Sequence, residues 1–334
     1  MIAPLDQQLE NELARFQTKR IPEITLCPET TLYVIGNGFD LMHGVPSSYR
    51  DFAAALGKQN ALRFALEHYL NVVDLWADFE TALGHFNHGS LLRQENLDAF
   101  LDDFGAYSRK ASASDFFAAV DAATTPASTI INDLPRRFRM WVESLQCSTE
   151  ERPLKGLILG GKVLNFNYTE FVEALYGIPH GNICYIHGCR KKVKGRPKEK
   201  LILGHKSGVV DEEWEKVQVK TPRFRNRYKQ YVFEAAADTA ARNLQWYDEE
   251  TTKNSNDIIR RHLDFFQSLD QITDIVVIGH SLSEVDWLYF DEILKHCNAK
   301  RWFIGFHSIS DIKRIDLFLD SFHIARKNVR LFRT

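Results

Sequence analysis

The sequence TLYVIGNGFDLMHGVPSSYRDF, residues 31–52, carries the strongest indication of the fold of this chain. An apolar, β-branched run meets the turn Gly36-Asn37-Gly38, and residues with helical spacing follow. This order predicts a buried parallel strand, a tight turn and then a helix. Glycine lets the backbone approach a phosphate closely, and the N-terminus of a helix attracts an anion. The turn therefore predicts a phosphate-binding site, although Leu41 replaces the third glycine of the G-x-G-x-x-G pattern.

The composition is typical of a globular chain and excludes several classes of protein. The chain has 334 residues, of which 44% are hydrophobic and 26% charged, and its formal net charge is −2. A charge this small gives no overall attraction to nucleic acid or to an anionic membrane. The five cysteines form no CxxC pair, so neither a disulfide framework nor a zinc site is expected. The sequence has neither a secretion signal nor an apolar run that would cross a bilayer, so we expect a cytoplasmic protein. We also expect that it needs no metal.

Four apolar runs predict parallel strands, and each ends in a glycine or a polar residue. Because ligands of open parallel sheets bind outside the carboxyl ends of the strands, we expect the ends at Gly36, Asn167 and His187 to converge on one crevice. The runs are residues 32–35, 162–166, 183–186 and 274–278. The residues that follow them are Gly36, Asn167, His187 and Gly279. Residues 301–306 and 329–332 predict two further strands.

A helical insertion is predicted between the first strand and the second. Residues 51–141 are rich in Ala, Leu and Phe at helical spacing. We therefore predict an α/β fold with a Rossmann-like parallel sheet, in which residues 1–50 and 155–334 form the nucleotide-binding domain and residues 51–154 form the insertion. Within the insertion, Glu80 is a surface carboxylate, a structural partner for an arginine, or a carboxylate presented to the crevice.

A basic segment spans residues 190–229. It contains the run RKKVKGRPKEK at residues 190–200 and a second cationic stretch at residues 216–229, where aromatic residues are interleaved. Basic residues mixed with aromatic ones are typical of surfaces that hold a nucleic-acid strand, and a solvated loop is the alternative. His205 lies between the two runs and is either a pocket residue or a structural histidine.

The first turn resembles two known families. Five residues have the register of the sirtuin opening G-A-G-(I/F)-S-x-x-x-G-I-P-x-F-R, namely Gly36, Gly38, Gly44, Val45 and Pro46. Asp40 stands where sirtuins have serine. The fuller string N-G-F-D-L-x-H-G-x-P-x-S-Y is closer to the AbiH family of bacterial abortive-infection proteins, which resemble sirtuins in fold. The chain thus resembles the AbiH family and is distantly similar to sirtuins.

Later motifs extend this resemblance. The N-Y and I-H-G strings after two of the predicted strands are similar to AbiH proteins, where sirtuins have Q-N-I-D and H-G. Gly279, Ser281 and Leu282 match the sirtuin turn G-(T/S)-S-L, which meets the adenosine side of a dinucleotide. The two CxxC pairs of the sirtuin zinc module are absent, so deacylation of lysine is the less favoured chemistry.

The resemblance implies an anti-phage abortive-infection effector that uses NAD as its substrate. The implied reaction is hydrolysis of the nicotinamide–ribose bond through an oxocarbenium-like state. His187 is then the candidate general base, Asn167 would orient a water molecule or the ribose, and Asp40 would stabilise positive charge at C1′. The candidate NAD-binding residues are Gly36, Asn37, Gly38, Phe39, His43, Gly279, His280, Ser281 and Asp286.

Several alternatives remain open at this point. The crevice is alternatively a sensor that binds NAD, ADP-ribose or a related nucleotide without cleaving it, or the basic segment directs the protein to nucleic acid. His187 is alternatively a structural histidine, and Asp40 and Asp286 are alternatively helix caps. The predicted partners are a small dinucleotide, a phage-derived trigger or partner protein, and further copies of this chain in a homo-oligomer. No membrane partner is expected.

Overall fold

The computed structural model describes residues 9, 12–87, 89, 94–149, 151–158, 160–192, 198–206 and 223–334. The chain forms two compact units. Unit 1 comprises Met1–Ser48, Val142–Ile202 and Asn254–Thr334, and unit 2 comprises Tyr49–Trp141 and Leu203–Lys253. The domain boundaries predicted from the sequence stay predictions.

We number the strands and helices of the described residues in chain order. The strands are β1 (Gln17–Thr18), β2 (Thr31–Ile35), β3 (Lys162–Asn165), β4 (Ile183–Tyr185), β5 (His205–Lys206), β6 (Thr252–Lys253), β7 (Asp274–Ile278), β8 (Arg301–Phe306) and β9 (Val329–Arg333). The helices are α1 (Asn37–Met42), α2 (Tyr49–Leu56), α3 (Ala61–Tyr69), α4 (Phe79–Leu83), α5 (Gln94–Asp103), α6 (Ala113–Ser144), α7 (Phe171–Tyr176), α8 (Arg227–Thr251), α9 (Ser255–Arg261), α10 (Leu263–Gln267), α11 (Trp287–His296) and α12 (Ile309–Ser321). Among the described helices, none combines the length and the apolar character that a membrane crossing requires.

Unit 1 is built on a seven-stranded sheet in which all neighbouring strands are parallel. The strand order is β1-β9-β8-β7-β2-β3-β4. Counted from β2, the strands β4-β3-β2-β7-β8-β9 follow the 3-2-1-4-5-6 order of a doubly wound nucleotide-binding sheet. The prediction of an α/β fold with a Rossmann-like parallel sheet is confirmed.

The strand order reverses between β2 and β7, which is where such a sheet forms its ligand crevice. Both strands consist of buried residues throughout, as expected for central strands that are covered on both faces. Their register pairs Ile35 with Ile278, so the two strands end level with each other. The turns that begin at Gly36 and Gly279 are therefore neighbours.

One continuous hydrophobic core lies against the sheet of unit 1. Alternate residues of the central strands, such as Val34 and Val277, contribute to this core together with apolar side chains from α9 to α12. Tyr289, Phe290 and Phe318 supply its aromatic rings from α11 and α12. This packing fixes the strand ends, so the turns that follow them have defined positions.

Unit 2 is mainly helical. It contains α2 to α5, most of α6, and α8, together with a small parallel sheet of β5 and β6. Aromatic rings pack at its centre, where the ring of Phe52 lies 5.5 Å from that of Phe138 and 5.2 Å from that of Trp141 between centroids. The helical character predicted for residues 51–141 is therefore explained by burial of their apolar faces within unit 2.

Two polar residues that the sequence singles out have partners inside unit 2. Glu80 accepts a hydrogen bond from the Tyr49 hydroxyl at 2.9 Å and lies 2.7 Å from the ammonium of Lys253, whose side chain is fully buried. One structural partner of Glu80 is thus the lysine at position 253, and an arginine partner stays a prediction. His205 is buried, and its Nδ1 donates to the carbonyl of Lys206 at 2.9 Å. Both residues therefore have structural roles in unit 2.

Replacing Lys253 by methionine tests the importance of the buried ion pair. The variant leaves the largely buried carboxylate of Glu80 without the ammonium of Lys253. Because an uncompensated buried charge is costly, we expect the free energy of unfolding to fall by about 3 kcal/mol. Adding Glu80→Gln should recover a large part of that loss, because the carboxylate then no longer requires a counter-charge. Urea unfolding followed by circular dichroism measures both effects.

The matched control for this prediction is Lys295→Met, which removes an exposed lysine from the carboxylate of Glu292. Exposed ion pairs contribute little, so we expect a change below about 1 kcal/mol. Equal effects of the two lysine substitutions would contradict the importance that we assign to the buried pair.

Candidate functional site

The turns after β2 and β7 pack backbone against backbone. The amide of Gly36 donates to the Ile278 carbonyl at 3.0 Å, and the amide of Gly38 donates to the Gly279 carbonyl at 2.8 Å. A Cβ atom on Gly38 would lie 2.6 Å from the Cα of Gly279, and one on Gly36 would lie 2.5 Å from the Cα of His280. A side chain at residue 36 or 38 would collide with the turn after β7, which explains why both residues are glycine. A phosphate at this turn would be bound by donors other than these two amides.

Three further residues of the first turn have partners inside unit 1. The Asn37 side chain donates to the Ser47 carbonyl at 2.9 Å. Phe39 and His43 are fully buried. Because Nδ1 of His43 donates to the Phe39 carbonyl at 2.7 Å, its Nε2 accepts from the Tyr176 hydroxyl at 2.8 Å. The binding of NAD by Phe39 and His43 stays a prediction.

Asp40 is the centre of a buried polar cluster. Its side chain accepts hydrogen bonds from the Asn167 amide at 2.9 Å and from the Thr169 hydroxyl at 2.6 Å. Asn165, the last residue of β3, accepts from the Asn167 backbone amide and donates to the Thr169 carbonyl. The loop after β3 is thus shaped to present two donors to a carboxyl group on α1.

The ionisation of Asp40 is strongly affected by this environment. Burial raises the pKa of Asp40 to about 7, although the hydrogen bonds from Thr169 and Asn167 favour the charged form. The buried carboxyl group therefore changes its charge near neutral pH. Perturbed pKa values of this kind concentrate at functional sites.

His187 lies in an aromatic cluster around Phe166. The centroid of the Phe166 ring is 5.3 Å from that of His187, 4.3 Å from that of His280 and 5.5 Å from that of Tyr289. His187 is 2% exposed, and its Nε2 lies 3.2 Å from the Tyr289 hydroxyl. Phe166 directly precedes Asn167, so this aromatic cluster adjoins the polar cluster of Asp40.

The turn after β7 carries the remaining predicted residues. The Nε2 atom of His280 lies 3.3 Å from a carboxylate oxygen of Asp286, and Ser281 is exposed and accepts from the Ser283 amide at 3.4 Å. Asp286 is the N-cap residue of α11, yet its side chain makes no capping hydrogen bond. The residues predicted at four strand ends are thus brought to one edge of the sheet in unit 1.

A comparison with models of known families matches the model described as bacteriophage abortive infection AbiH over residues 32–306. The matched range runs from β2 to β8 and includes both turns. The chain belongs to the AbiH family. This AbiH protein is therefore a phage abortive-infection protein. No curated protein and no solved structure matches the chain, so the similarity to sirtuins rests on the motifs alone.

The first residues of the basic segment of this AbiH protein are held by acidic side chains and carbonyls. Arg190 contacts both carboxylate oxygens of Glu170, at 2.9 and 3.1 Å, and also donates to the carbonyls of Val142 and Leu145. Lys191 lies beside Glu173. These two cations stabilise unit 1, and residues 193–197 of the same run lie outside the described residues.

The second cationic stretch is described only from residue 223 onward, and residues 207–222 lie outside the described part of the chain. Lys229 is 3.3 Å from Asp98 and lies over the ring of Tyr107, 4.3 Å from its centroid. Arg223, Arg225 and Arg227 are exposed. Binding of nucleic acid to the basic segment stays a prediction.

The site of this AbiH protein includes two residues that the sequence did not single out. Thr169 donates to Asp40, and Tyr289 contacts His187. Thr169 follows Asn167 by two residues, which is a usable indication because both side chains are polar and follow a strand. Tyr289 falls in the apolar pattern of α11 and carries no such indication. Within the described chain, no cluster of three or more His, Cys, Asp or Glu side chains is arranged to hold a metal ion.

The raised pKa of Asp40 predicts a pH-dependent contribution to stability. The folded state holds this proton up to about pH 7, whereas the unfolded chain releases it near its ordinary pKa of 3.8. The folded protein therefore loses stability as the pH rises from about 4 to about 7, by up to about 4 kcal/mol from this group. In Asp40→Asn this contribution is absent, because asparagine does not ionise. The variant can keep the local structure, since asparagine can accept a hydrogen bond from Asn167 and donate one to Thr169.

The measurement is the free energy of unfolding of both proteins between pH 4 and 8. We expect the wild type to weaken relative to Asp40→Asn up to about pH 7, with a constant difference above that. Asp311→Asn is the control, because hydrogen bonds and Arg314 lower the pKa of Asp311 and reverse the sign. A difference between wild type and Asp40→Asn that does not vary with pH would contradict the prediction.

Proposed function

We propose that this AbiH protein binds a nicotinamide dinucleotide at the carboxyl edge of its sheet and hydrolyses the nicotinamide–ribose bond. The observation that carries the proposal is the buried carboxyl of Asp40, held by Asn167 and Thr169 beside the turn where the strand order reverses. Sheets with this order bind dinucleotides at that position. Depletion of NAD would stop phage growth together with host metabolism, which fits abortive infection.

Asp40 would act on the charge that develops during the reaction. As the bond breaks, positive charge moves from the nicotinamide ring to C1′ of the ribose. A carboxylate in a buried site interacts with such a charge more strongly than it would in water. If it faces C1′, Asp40 stabilises the transition state more than the ground state, which accelerates the reaction. The approach of the cation also favours the ionised form of the carboxyl.

Asn167 and His187 would act on the attacking water. The Asn167 side-chain nitrogen is bound to Asp40, while its oxygen makes no hydrogen bond with any described residue, and we assign the orientation of water to that oxygen. Water adds to C1′, nicotinamide leaves with the electron pair of the broken bond, and the proton lost by water passes to His187. The Tyr289 hydroxyl supports the imidazole.

Chromatography of NAD after incubation with the purified protein tests this proposal. We expect nicotinamide and ADP-ribose in equal amounts from the wild type. In Asp40→Asn we expect a rate lower by about 100-fold, because the variant lacks the carboxylate that stabilises the positive charge of the transition state. Asp274→Asn is the matched control, because Asp274 is equally buried in unit 1 but begins β7 and so lies at the opposite edge of the sheet.

The assay is run with and without extract from phage-infected cells, because the proposed activity requires activation by a phage-derived trigger. Absence of nicotinamide release under both conditions would contradict the proposed hydrolysis. Equal loss of rate in Asp40→Asn and Asp274→Asn would contradict the role of Asp40, because it would indicate a general effect on folding.

A nucleotide sensor is the second candidate function, and the enclosure of His187 favours it. This imidazole is 2% exposed within an aromatic cluster, an arrangement that suits a rigid binding site as well as a catalytic one. Calorimetry with NAD distinguishes the two functions. Binding with full recovery of intact NAD favours the sensor, whereas release of nicotinamide favours hydrolysis.

A further inference from the structure

The turn after β7 contains a histidine–aspartate pair in which a backbone hydrogen bond fixes the tautomer of the histidine. The backbone amide of Leu282 donates to Nδ1 of His280 at 3.0 Å, so Nδ1 is an acceptor and carries no proton. The proton of the ring is therefore on Nε2, which lies 3.3 Å from Oδ2 of Asp286. The protonated Nε2 of His280 thus faces the carboxylate of Asp286, and because Nδ1 carries no proton the imidazole adds no positive charge to the pair.

The backbone of this turn is strained in a way that supports the pair. Leu282 is buried and has a φ of +54°, a conformation that is unfavourable for a side chain such as leucine. The indole of Trp287 donates to the Leu282 carbonyl at 3.0 Å, and the His280 ring accepts from the Leu282 amide. Strain that the surrounding structure maintains is typical of functional turns. Here it orients the His280 ring toward Asp286.

Asp286 is placed to meet a ligand of the crevice. Its side chain is 13% exposed and is not engaged in capping α11. Its partner His280 directly adjoins the first turn, because a Cβ atom on Gly36 would lie 2.5 Å from the Cα of His280. The histidine that pairs with Asp286 therefore lies beside the point where the strand order reverses, on the side of β7.

We propose that Asp286, positioned by His280, binds the 2′ and 3′ hydroxyls of a ribose and thereby selects dinucleotides without a 2′-phosphate. This inference rests on the dinucleotide site proposed above. The two oxygens of a carboxylate can accept hydrogen bonds from both hydroxyls of a ribose, and an acidic residue binds the 2′ hydroxyl in other doubly wound sheets. A 2′-phosphate would replace a donor by a second anion, and the neutral His280 offers no charge to offset it.

Isothermal titration calorimetry of the full chain with ADP-ribose and with 2′-phospho-ADP-ribose tests the proposal. Neither probe contains the nicotinamide bond, so the test is independent of hydrolysis. We expect the wild type to bind ADP-ribose at least about tenfold more tightly than the phosphorylated probe. Asp286→Asn should weaken binding of ADP-ribose by about tenfold and remove the preference.

Two variants of His280 separate positioning from general disruption. His280→Leu should reproduce the effect of Asp286→Asn, whereas His280→Gln should retain the preference, since glutamine can accept from Leu282 and donate to Asp286. Glu292→Gln is the matched control, because Glu292 is also paired with a histidine on α11 but lies near the other end of that helix.

Three results would overturn the inference. Equal affinity of the wild type for the two probes, or an unchanged preference in Asp286→Asn, would overturn the role of Asp286 and leave the dinucleotide site standing. Failure of the wild type to bind either probe would overturn the dinucleotide site and this inference with it. Circular dichroism of each variant confirms that loss of affinity is not loss of fold.

Discussion

The contact between the turn after β2 and the turn after β7 is the constraint on which the rest of the site depends. A Cβ atom on Gly279 would lie 2.2 Å from the amide nitrogen of Phe39, so the two backbones approach as closely as glycine permits. The approach is imposed by the level register of two fully buried strands. It holds α1 at the end of β7, and the bonds from Asn167 and Thr169 tie Asp40 to the end of β3.

The site retains features that stability alone would not favour. A buried carboxyl such as Asp40 is costly in free energy unless it is neutral or well bonded, and the left-handed backbone of Leu282 is costly as well. Both lie at the carboxyl edge of the sheet of unit 1, where the strand order predicts a ligand. The family match covers this edge, because residues 32–306 include the strands β2 and β7 and the turns that follow them.

Much of the fold follows from the sequence, because buried parallel strands are continuous apolar runs and the turns after them carry glycine or polar residues. The run of β7 and the turn at Gly36 are predicted in this way. The partnership of Asp40 with Asn167 could not be predicted, since 127 residues separate them and only the sheet order brings them together. The sequence also gives no indication that these glycines admit a neighbouring turn, and phosphate binding there stays a prediction. The charge of Arg190 likewise gave no indication that Glu170 and two carbonyls bind it.

The most direct test of the proposed site is a crystal structure of the chain grown with ADP-ribose. We expect the diphosphate across the two glycine turns, with one ribose next to Asp40 and Asn167 and the other next to Asp286. ADP-ribose bound away from the carboxyl edge of the sheet would contradict the proposed site, whatever its affinity. So would a complex in which Asp40 and Asp286 lie far from the ligand.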